Sequence, residues 1–106
     1  MEHIVVFITA PNKETAAGIA RALVGEMLAA CINIIPGVRS IYSWQGKIED
    51  EEEVLLIAKT KKELFSKLSG RVKELHPYQT PEIIALPIIE GSPEYISWLN
   101  DATGQK

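Results

Sequence analysis

Two long β-forming segments, separated only by Gln45-Gly46, constrain the fold of this chain more than any other feature. The first extends over residues 30–44, with an interruption at Pro36-Gly37, and the second over residues 47–60. A glycine-containing pair between two β-forming runs is typical of a hairpin. A 14-residue strand reaches about 45 Å, whereas a 100-residue domain has a radius of gyration of about 13 Å. We therefore expect the hairpin to project beyond its own domain.

The N-terminal part of the chain predicts a strand followed by a helix. Residues 4–10 form a continuous apolar run that Pro11 ends, which is typical of a strand covered on both faces. Asn12 is placed to cap the next element. Apolar residues then recur at helical spacing from Ala16 to Met27, so we expect an amphipathic helix of about four turns.

The part after the hairpin predicts a helix, a strand and a last helix. Thr60–Glu63 matches the capping box that begins many helices, and apolar residues continue at helical spacing over residues 64–75. Pro77 disfavours helical geometry in the preceding residue, so this helix should end there. Residues 82–89 supply a strand, and Ser92 is placed to cap a short final helix that begins with a proline.

The order β-α-β-β-α-β-α indicates an α+β protein, a ferredoxin-like βαββαβ sandwich with an extra C-terminal helix. No linker or repeat divides the chain, so we interpret residues 1–106 as a single domain. Right-handed crossovers place both long helices on one face of the sheet and leave the other face uncovered. Apolar residues near the hairpin tip would also be exposed in a monomer, namely Ile41, Tyr42, Trp44 and Ile48. Because exposed apolar patches mark interfaces, we expect a homo-oligomer.

Composition and charge argue against several classes of protein. A net charge of -3 does not favour nucleic-acid binding, since phosphate contacts require a face rich in Lys and Arg. No apolar stretch approaches the ~20 residues of a membrane helix, so no membrane partner is expected. Glu2 lies where a secretory signal would carry basic residues, which favours a cytoplasmic location. Cys31 is the only cysteine, so no internal disulfide can form.

Four sequence motifs, in order along nearly the whole chain, carry a family resemblance. They are ITAPN (8–12), CINIIPGVRSIYSWQGK (31–47), AKT (58–60) and HPYQTPEIIALPI (76–88). Together they closely resemble the CutA family of divalent-cation tolerance proteins. The resemblance implies a homotrimer similar in build to the PII signalling proteins, which binds copper and other divalent cations. It implies no enzymatic reaction, and we expect no cofactor to be required for folding.

Two residues are candidate metal ligands. His76 can offer a neutral imidazole to Cu(II) or another divalent cation, or it can complement the dipole at a helix C-terminus. Cys31 can supply a thiolate, although a single cysteine in an apolar strand usually behaves as a small buried residue. In some members of the similar family, copper ligation is attributed to positions that hold Ile8 and Leu75 here, which leaves His76 as the match.

Two further groups of polar residues have alternative interpretations. The acidic run of residues 49–53 can collect cations, or it can be a solvated strand whose charge prevents edge aggregation. A second group can line a cleft between subunits that holds a small anionic or zwitterionic ligand, or can serve interface packing. The members of this group are Tyr42, Trp44, Lys59, Tyr78, Glu82 and Trp98.

Two functions follow from these observations. The first is a cytoplasmic homotrimer that binds divalent metal ions, copper foremost, and acts in divalent-cation tolerance. The alternative is a PII-like signalling protein that binds a small metabolite or nucleotide in intersubunit clefts and presents its hairpin to a protein partner. An enzyme is not expected, because neither a nucleophile-base relay nor a dinucleotide or P-loop motif is present.

Overall fold

The computed structural model describes residues 2–104, which contain four strands and three α-helices. The strands are β1 (His3–Ala10), β2 (Cys31–Trp44), β3 (Lys47–Lys61) and β4 (Ile83–Pro87). The helices are α1 (Lys13–Gly25), α2 (Phe65–Leu75) and α3 (Pro93–Ala102), and a single 3-10 turn, Lys62–Leu64, precedes α2. The predicted order β-α-β-β-α-β-α is confirmed.

The sheet has the order β2-β3-β1-β4, and each neighbouring pair of strands is antiparallel. Strand β3 therefore separates β1 from β2, which are parallel to each other and are joined by α1. Strand β1 likewise separates β3 from β4, which are joined by α2. Each βαβ unit is thus split by a strand of the other, as in ferredoxin-like proteins. The predicted α+β class is confirmed.

The hydrophobic core lies between one face of the sheet and helices α1 and α2. Alternate residues of β1 contribute to it, because successive side chains of a strand point to opposite faces. Its fully buried members include Val6, Ile8, Leu56 and Ala58 from the sheet and Leu23, Leu68 and Val72 from the helices. Met27, predicted to continue the apolar stripe of α1, instead follows the helix with a positive φ of 60° and is 51% exposed.

The other face of the sheet, which we call the open face, carries apolar side chains outside this core. Ile84 and Leu86 of β4 pair with Phe7 and Val5 and therefore lie on the same face as these two residues. Ile84 is 57% exposed and Leu86 is 56% exposed. Helix α3 packs near the beginning of β1, where the Nε2 atom of His3 is 2.8 Å from the side-chain oxygen of Asn100.

Two of the three predicted helix caps are confirmed. The side chain of Asn12 accepts a hydrogen bond from the Thr15 amide at 2.8 Å, and Ser92 accepts one from the Tyr95 amide at 3.3 Å. The predicted capping box at Thr60 is wrong. Thr60 is still part of β3, where its buried hydroxyl donates to the Leu28 carbonyl at 2.7 Å. The hydroxyl therefore anchors the strand to the segment after α1, and α2 begins five residues later.

The β2–β3 hairpin gives the described residues an elongated shape of 46 × 25 × 22 Å, as the strand lengths predict. Gln45 (φ 49°) and Gly46 (φ 80°) form its turn with two positive φ angles, a geometry that matches the right-handed twist of the paired strands. Ile48 and Ile41 are 82% and 62% exposed near the tip. Tyr42 departs from the predicted exposure, since it is half-buried.

A bulge at Pro36-Gly37 changes which side chains share a face of the hairpin. Ile35 pairs with Leu55 but Val38 pairs with Glu53, so β2 advances three residues while β3 advances two. Because the side-chain period of a strand is two, this extra residue reverses the direction of every later side chain of β2 relative to β3. Gly37 accommodates the bulge with a positive φ of 80°.

Replacement of Gly37 by alanine should destabilise the protein by about 1–2 kcal/mol, because a Cβ atom disfavours left-handed backbone geometry. Gly18→Ala is the matched control, since Gly18 lies within α1 and an added Cβ at either glycine meets no atom within 4 Å. In the helix the same change should stabilise by about 0.5–1 kcal/mol. Urea denaturation at a single protein concentration measures the unfolding free energy of both variants. Equal changes in the two would contradict the conformational role of Gly37.

Candidate functional site

A groove of about 920 Å³ lies between the hairpin and the loop that connects α2 to β4. We call it the hairpin groove. Its volume is in the range of small-ligand sites in proteins. The lining residues used below are Tyr42, Trp44, Glu49, Glu51 and Glu53 from the hairpin, with Tyr78 and Glu82 from the loop. The bulge at Gly37 places Tyr42 and Trp44 on the same face as the three glutamates, since Tyr42 pairs with Glu49.

Neighbouring carboxylates and burial raise the pKa values of the two tyrosines of the groove. The Tyr42 hydroxyl donates a hydrogen bond to Glu51 at 2.8 Å. This bond, with lesser effects of burial and nearby negative charge, raises the pKa of Tyr42 to about 12. Burial and then the charges of Glu53 and Glu51 also raise the pKa of Tyr78. Both phenols, protonated at neutral pH like any tyrosine of ordinary pKa, stay protonated to a higher pH here.

The groove is strongly acidic. Four carboxylates line it, whereas Arg39 is the one cationic side chain among the described residues that line it. Arg39 donates two hydrogen bonds to Asp50, at 2.8 and 2.6 Å, and Asp50 is not part of the lining. The guanidinium also holds the pKa of Asp50 below its ordinary value. The charge of Arg39 is thus largely directed away from the four carboxylates.

His76 connects the loop of the groove to strand β1. The residue is 6% exposed, and its Nε2 atom lies 2.7 Å from the Thr9 carbonyl oxygen. A carbonyl only accepts, so Nε2 carries the proton, and Nδ1 accepts a hydrogen bond from the Tyr78 amide at 3.1 Å. The His76 and Tyr78 rings also lie 4.8 Å apart. A metal ion would have to displace one of these two hydrogen bonds to bind His76.

Cys31 belongs to a separate group of residues, which we call the Lys59 patch. The Lys59 ammonium lies 3.9 Å from the Cys31 sulfur and also donates to the side chain of Asn33. Tyr95 of α3 adjoins this group, and burial, with a smaller effect of the Cys31 thiol, raises its pKa. The ring of Trp98 lies 5.4 Å from that of Tyr95.

The predicted cleft residues are therefore divided between two places within one chain. Tyr42, Trp44, Tyr78 and Glu82 line the hairpin groove, whereas Lys59 and Trp98 do not. Lys59 pairs with Cys31, and Leu55 pairs with Thr9, the carbonyl partner of His76. Four residues along β3 correspond to about 13 Å, so Cys31 and His76 of one chain do not bind the same ion. Within residues 2–104, no three His, Cys, Asp or Glu side chains are grouped to hold a metal.

Comparison with known proteins decides the family. Residues 4–102 match the family model for the CutA1 divalent ion tolerance protein. The chain belongs to the CutA family. The divalent-cation tolerance protein CutA of Thermus thermophilus is 57% identical to it over 100 residues, which cover 94% of this chain and 97% of that protein. The resemblance carried by the four motifs is confirmed.

CutA proteins of other organisms share the fold over all or nearly all of the chain. The crystal structure of CutA1 from Oryza sativa has a TM-score of 0.96 at 44% identity and covers 100% of this chain and 97% of its own. The periplasmic divalent cation tolerance protein CutA from Archaeoglobus fulgidus has a TM-score of 0.93 at 42% identity, covering 95% and 98%. The chloroplastic CutA protein of Arabidopsis thaliana is 47% identical over 100 residues, which span 94% of this chain and 55% of that protein.

These CutA relatives are described from more than one compartment, since one is periplasmic and another chloroplastic. In the described part of this chain, no helix combines the length and apolar character that crossing a membrane requires. The cytoplasmic location expected from the N-terminal residues stays a prediction.

Sequence reasoning missed the groove, although it identified most of its residues. The strand alternation places Glu49, Glu51 and Glu53 on one side of β3. It does not show that Glu53 is buried, with 5% exposure, where the hairpin meets the loop. The available signal was the pair of prolines at 77 and 81, which forces an extended loop after α2. Only the tertiary structure shows that this loop lies opposite the hairpin.

The hydrogen bond between Tyr42 and Glu51 predicts a change in stability at high pH. Because the folded-state pKa of Tyr42 is raised from near 10 to about 12, its contribution is complete below pH 10 and is lost as pH rises through 12. Glu51→Gln should lower this pKa towards its ordinary value. Phenolate absorbance during a pH titration, with Tyr42→Phe to assign the transition, measures the effect. An unchanged Tyr42 transition in Glu51→Gln would contradict the assigned cause.

Proposed function

We propose that this protein is a homotrimer that binds divalent metal ions, copper foremost, and contributes to divalent-cation tolerance. The observation that carries the proposal is the match of residues 4–102 to a divalent ion tolerance family. The name of the Thermus thermophilus relative also describes divalent-cation tolerance. The proposed role is binding and requires no catalysed reaction.

The open face and the hairpin tip support the assembly. Ile41, Ile48, Ile84 and Leu86 are each more than half exposed in the single chain. Large apolar side chains at this density are costly to leave in water, and a cyclic assembly buries the same surface on each subunit. Three subunits, rather than two, are proposed from the family resemblance.

A metal site completed by more than one subunit agrees best with the geometry. Of the two predicted ligands, Cys31 is partly exposed, and its sulfur lies 3.9 Å from the Lys59 ammonium and also interacts with Tyr95. Both nitrogens of His76 are hydrogen-bonded within the chain. A soft thiolate suits copper well, so we infer that Cys31 contributes to copper binding more than His76 does.

The oligomer should remain a trimer after extensive chelation, because the proposed contacts are apolar and need no metal. Ile48→Lys should weaken assembly, since a charge would be buried at the hairpin tip. Val24→Lys is the control, because Val24 is 41% exposed on α1, which packs on the opposite side of the sheet. Light scattering over a dilution series measures the mass. A folded monomer in the wild type would contradict the proposal.

Copper binding should separate the two predicted ligands. Cys31→Ser should weaken copper affinity by about tenfold or more, since it removes the soft donor. His76→Gln should keep most of the affinity while lowering the unfolding free energy by about 1–3 kcal/mol, because buried hydrogen bonds are lost. Calorimetric titration with copper and with redox-inert zinc, combined with thermal denaturation, gives both readouts. Selective loss of copper in His76→Gln would return the site to the histidine.

A second candidate function is that of a PII-like protein that binds a small molecule at or between subunits. The specific observation in its favour is the hairpin groove, which combines three aromatic side chains with a volume of about 920 Å³. The groove shares Tyr42, Trp44, Tyr78 and Glu82 with the predicted cleft, but it lacks Trp98, and its charge differs because Lys59 also lies elsewhere.

A further inference from the structure

We propose that Met27 is a modification site, where hydrogen peroxide forms methionine sulfoxide and thereby loosens the end of helix α3. Met27 is 51% exposed, whereas Cys31 is half-buried. Met1, the other methionine of the chain, lies outside the described residues. Helix α1, which Met27 follows, packs on the face of the sheet opposite the open face. The side chain of Met27 therefore lies away from the surface proposed for subunit contacts.

The backbone at Met27 has a conformation that glycine usually adopts. The amide of Leu28 donates to the Leu23 carbonyl at 2.9 Å, and the amide of Met27 donates to the Val24 carbonyl at 3.1 Å. These two bonds form a Schellman cap, in which the residue at the position of Met27 has a positive φ and is most often glycine. The Cβ atom of a methionine is disfavoured in this geometry, so capping alone does not account for the side chain.

The Met27 side chain connects the end of α1 to the end of α3. A Cβ atom added to Gly104 would lie 3.6 Å from the Met27 sulfur, so the thioether packs beside this residue. Gly104 follows the last turn of α3, and its amide donates to the Asp101 carbonyl at 3.2 Å. The neighbouring Thr103 is buried. Because Met27 is half exposed, a small oxidant can reach its side chain while the contact with Gly104 is in place.

Oxidation of the thioether is an oxygen-atom transfer. The O–O bond of hydrogen peroxide breaks, one oxygen atom bonds to the sulfur, which loses two electrons, and the other oxygen leaves as water with both protons. The product is polar and chiral, whereas the thioether is apolar. The sulfoxide oxygen favours contact with water over contact with the Gly104 backbone. The side chain should then turn away from Gly104, so that the last turn of α3 opens more often.

Peptide mass spectrometry and amide hydrogen exchange test the two parts of the proposal. Cys31→Ser is the background for every protein, because peroxide also oxidises thiols. After treatment with hydrogen peroxide, Met27 should carry one additional oxygen atom. The amides of residues 99–104 should exchange about five- to tenfold faster, whereas those of hairpin residues 47–53 should be unchanged. Treatment with methionine sulfoxide reductases should restore the slow exchange.

Variants at position 27 separate the modification from the cap. Met27→Leu keeps an apolar side chain without an oxidisable sulfur, so peroxide should not change its exchange at residues 99–104. Met27→Gln has a polar side chain of similar length and should exchange faster without peroxide. Met27→Gly also lacks the sulfur and has the residue usual in a Schellman cap. It should likewise not respond to peroxide, and it replaces Met27→Leu if leucine destabilises the cap.

Three results would overturn the proposal. One is the absence of added oxygen on Met27 after peroxide treatment. Another is oxidised Met27 with unchanged exchange at residues 99–104, which would make the modification silent. The third is faster exchange after peroxide in Met27→Leu or Met27→Gly, because the effect would then arise at another residue.

Discussion

The backbone pairing of β2 with β3, and the single extra residue at Pro36-Gly37, support most of what is distinctive in this structure. Main-chain hydrogen bonds fix the register of an antiparallel pair, so one inserted residue reverses the facing of all later side chains. Beyond the bulge, Tyr42 and Trp44 share a face with Glu49, Glu51 and Glu53. Without it, Arg39 and Ile41 would occupy that face, and the groove would lose the two aromatic side chains that the hairpin contributes.

The second wall of the groove depends on a buried histidine rather than on regular secondary structure. His76 uses one ring nitrogen to hold the Thr9 carbonyl and the other to hold the Tyr78 amide. These bonds fix the loop after α2 against the edge of the core, with Tyr78 directed at the hairpin carboxylates. A residue that the motif suggests as a metal ligand is thereby occupied in positioning the groove.

Charge is distributed unevenly along the open side of the molecule. Carboxylates line the hairpin groove, whereas Lys59, Cys31 and Asn33 form a separate polar patch. The patch lies about 13 Å or more from the groove along β3.

Local sequence was sufficient for the order of elements and for the caps at Asn12 and Ser92, because these depend on short-range periodicity and on side chains near their own backbone. It was also sufficient for the family, since four motifs retain their order. It was not sufficient at Thr60, because the Thr60 hydroxyl donates to the carbonyl of Leu28, 32 residues away, and does not cap a helix. The same holds for His76, whose ring is hydrogen-bonded to the Thr9 carbonyl, 67 residues away, and for Lys59, which the strand register separates from the aromatic residues of the groove. These contacts join residues distant in the chain, and only the tertiary structure decides which of them meet.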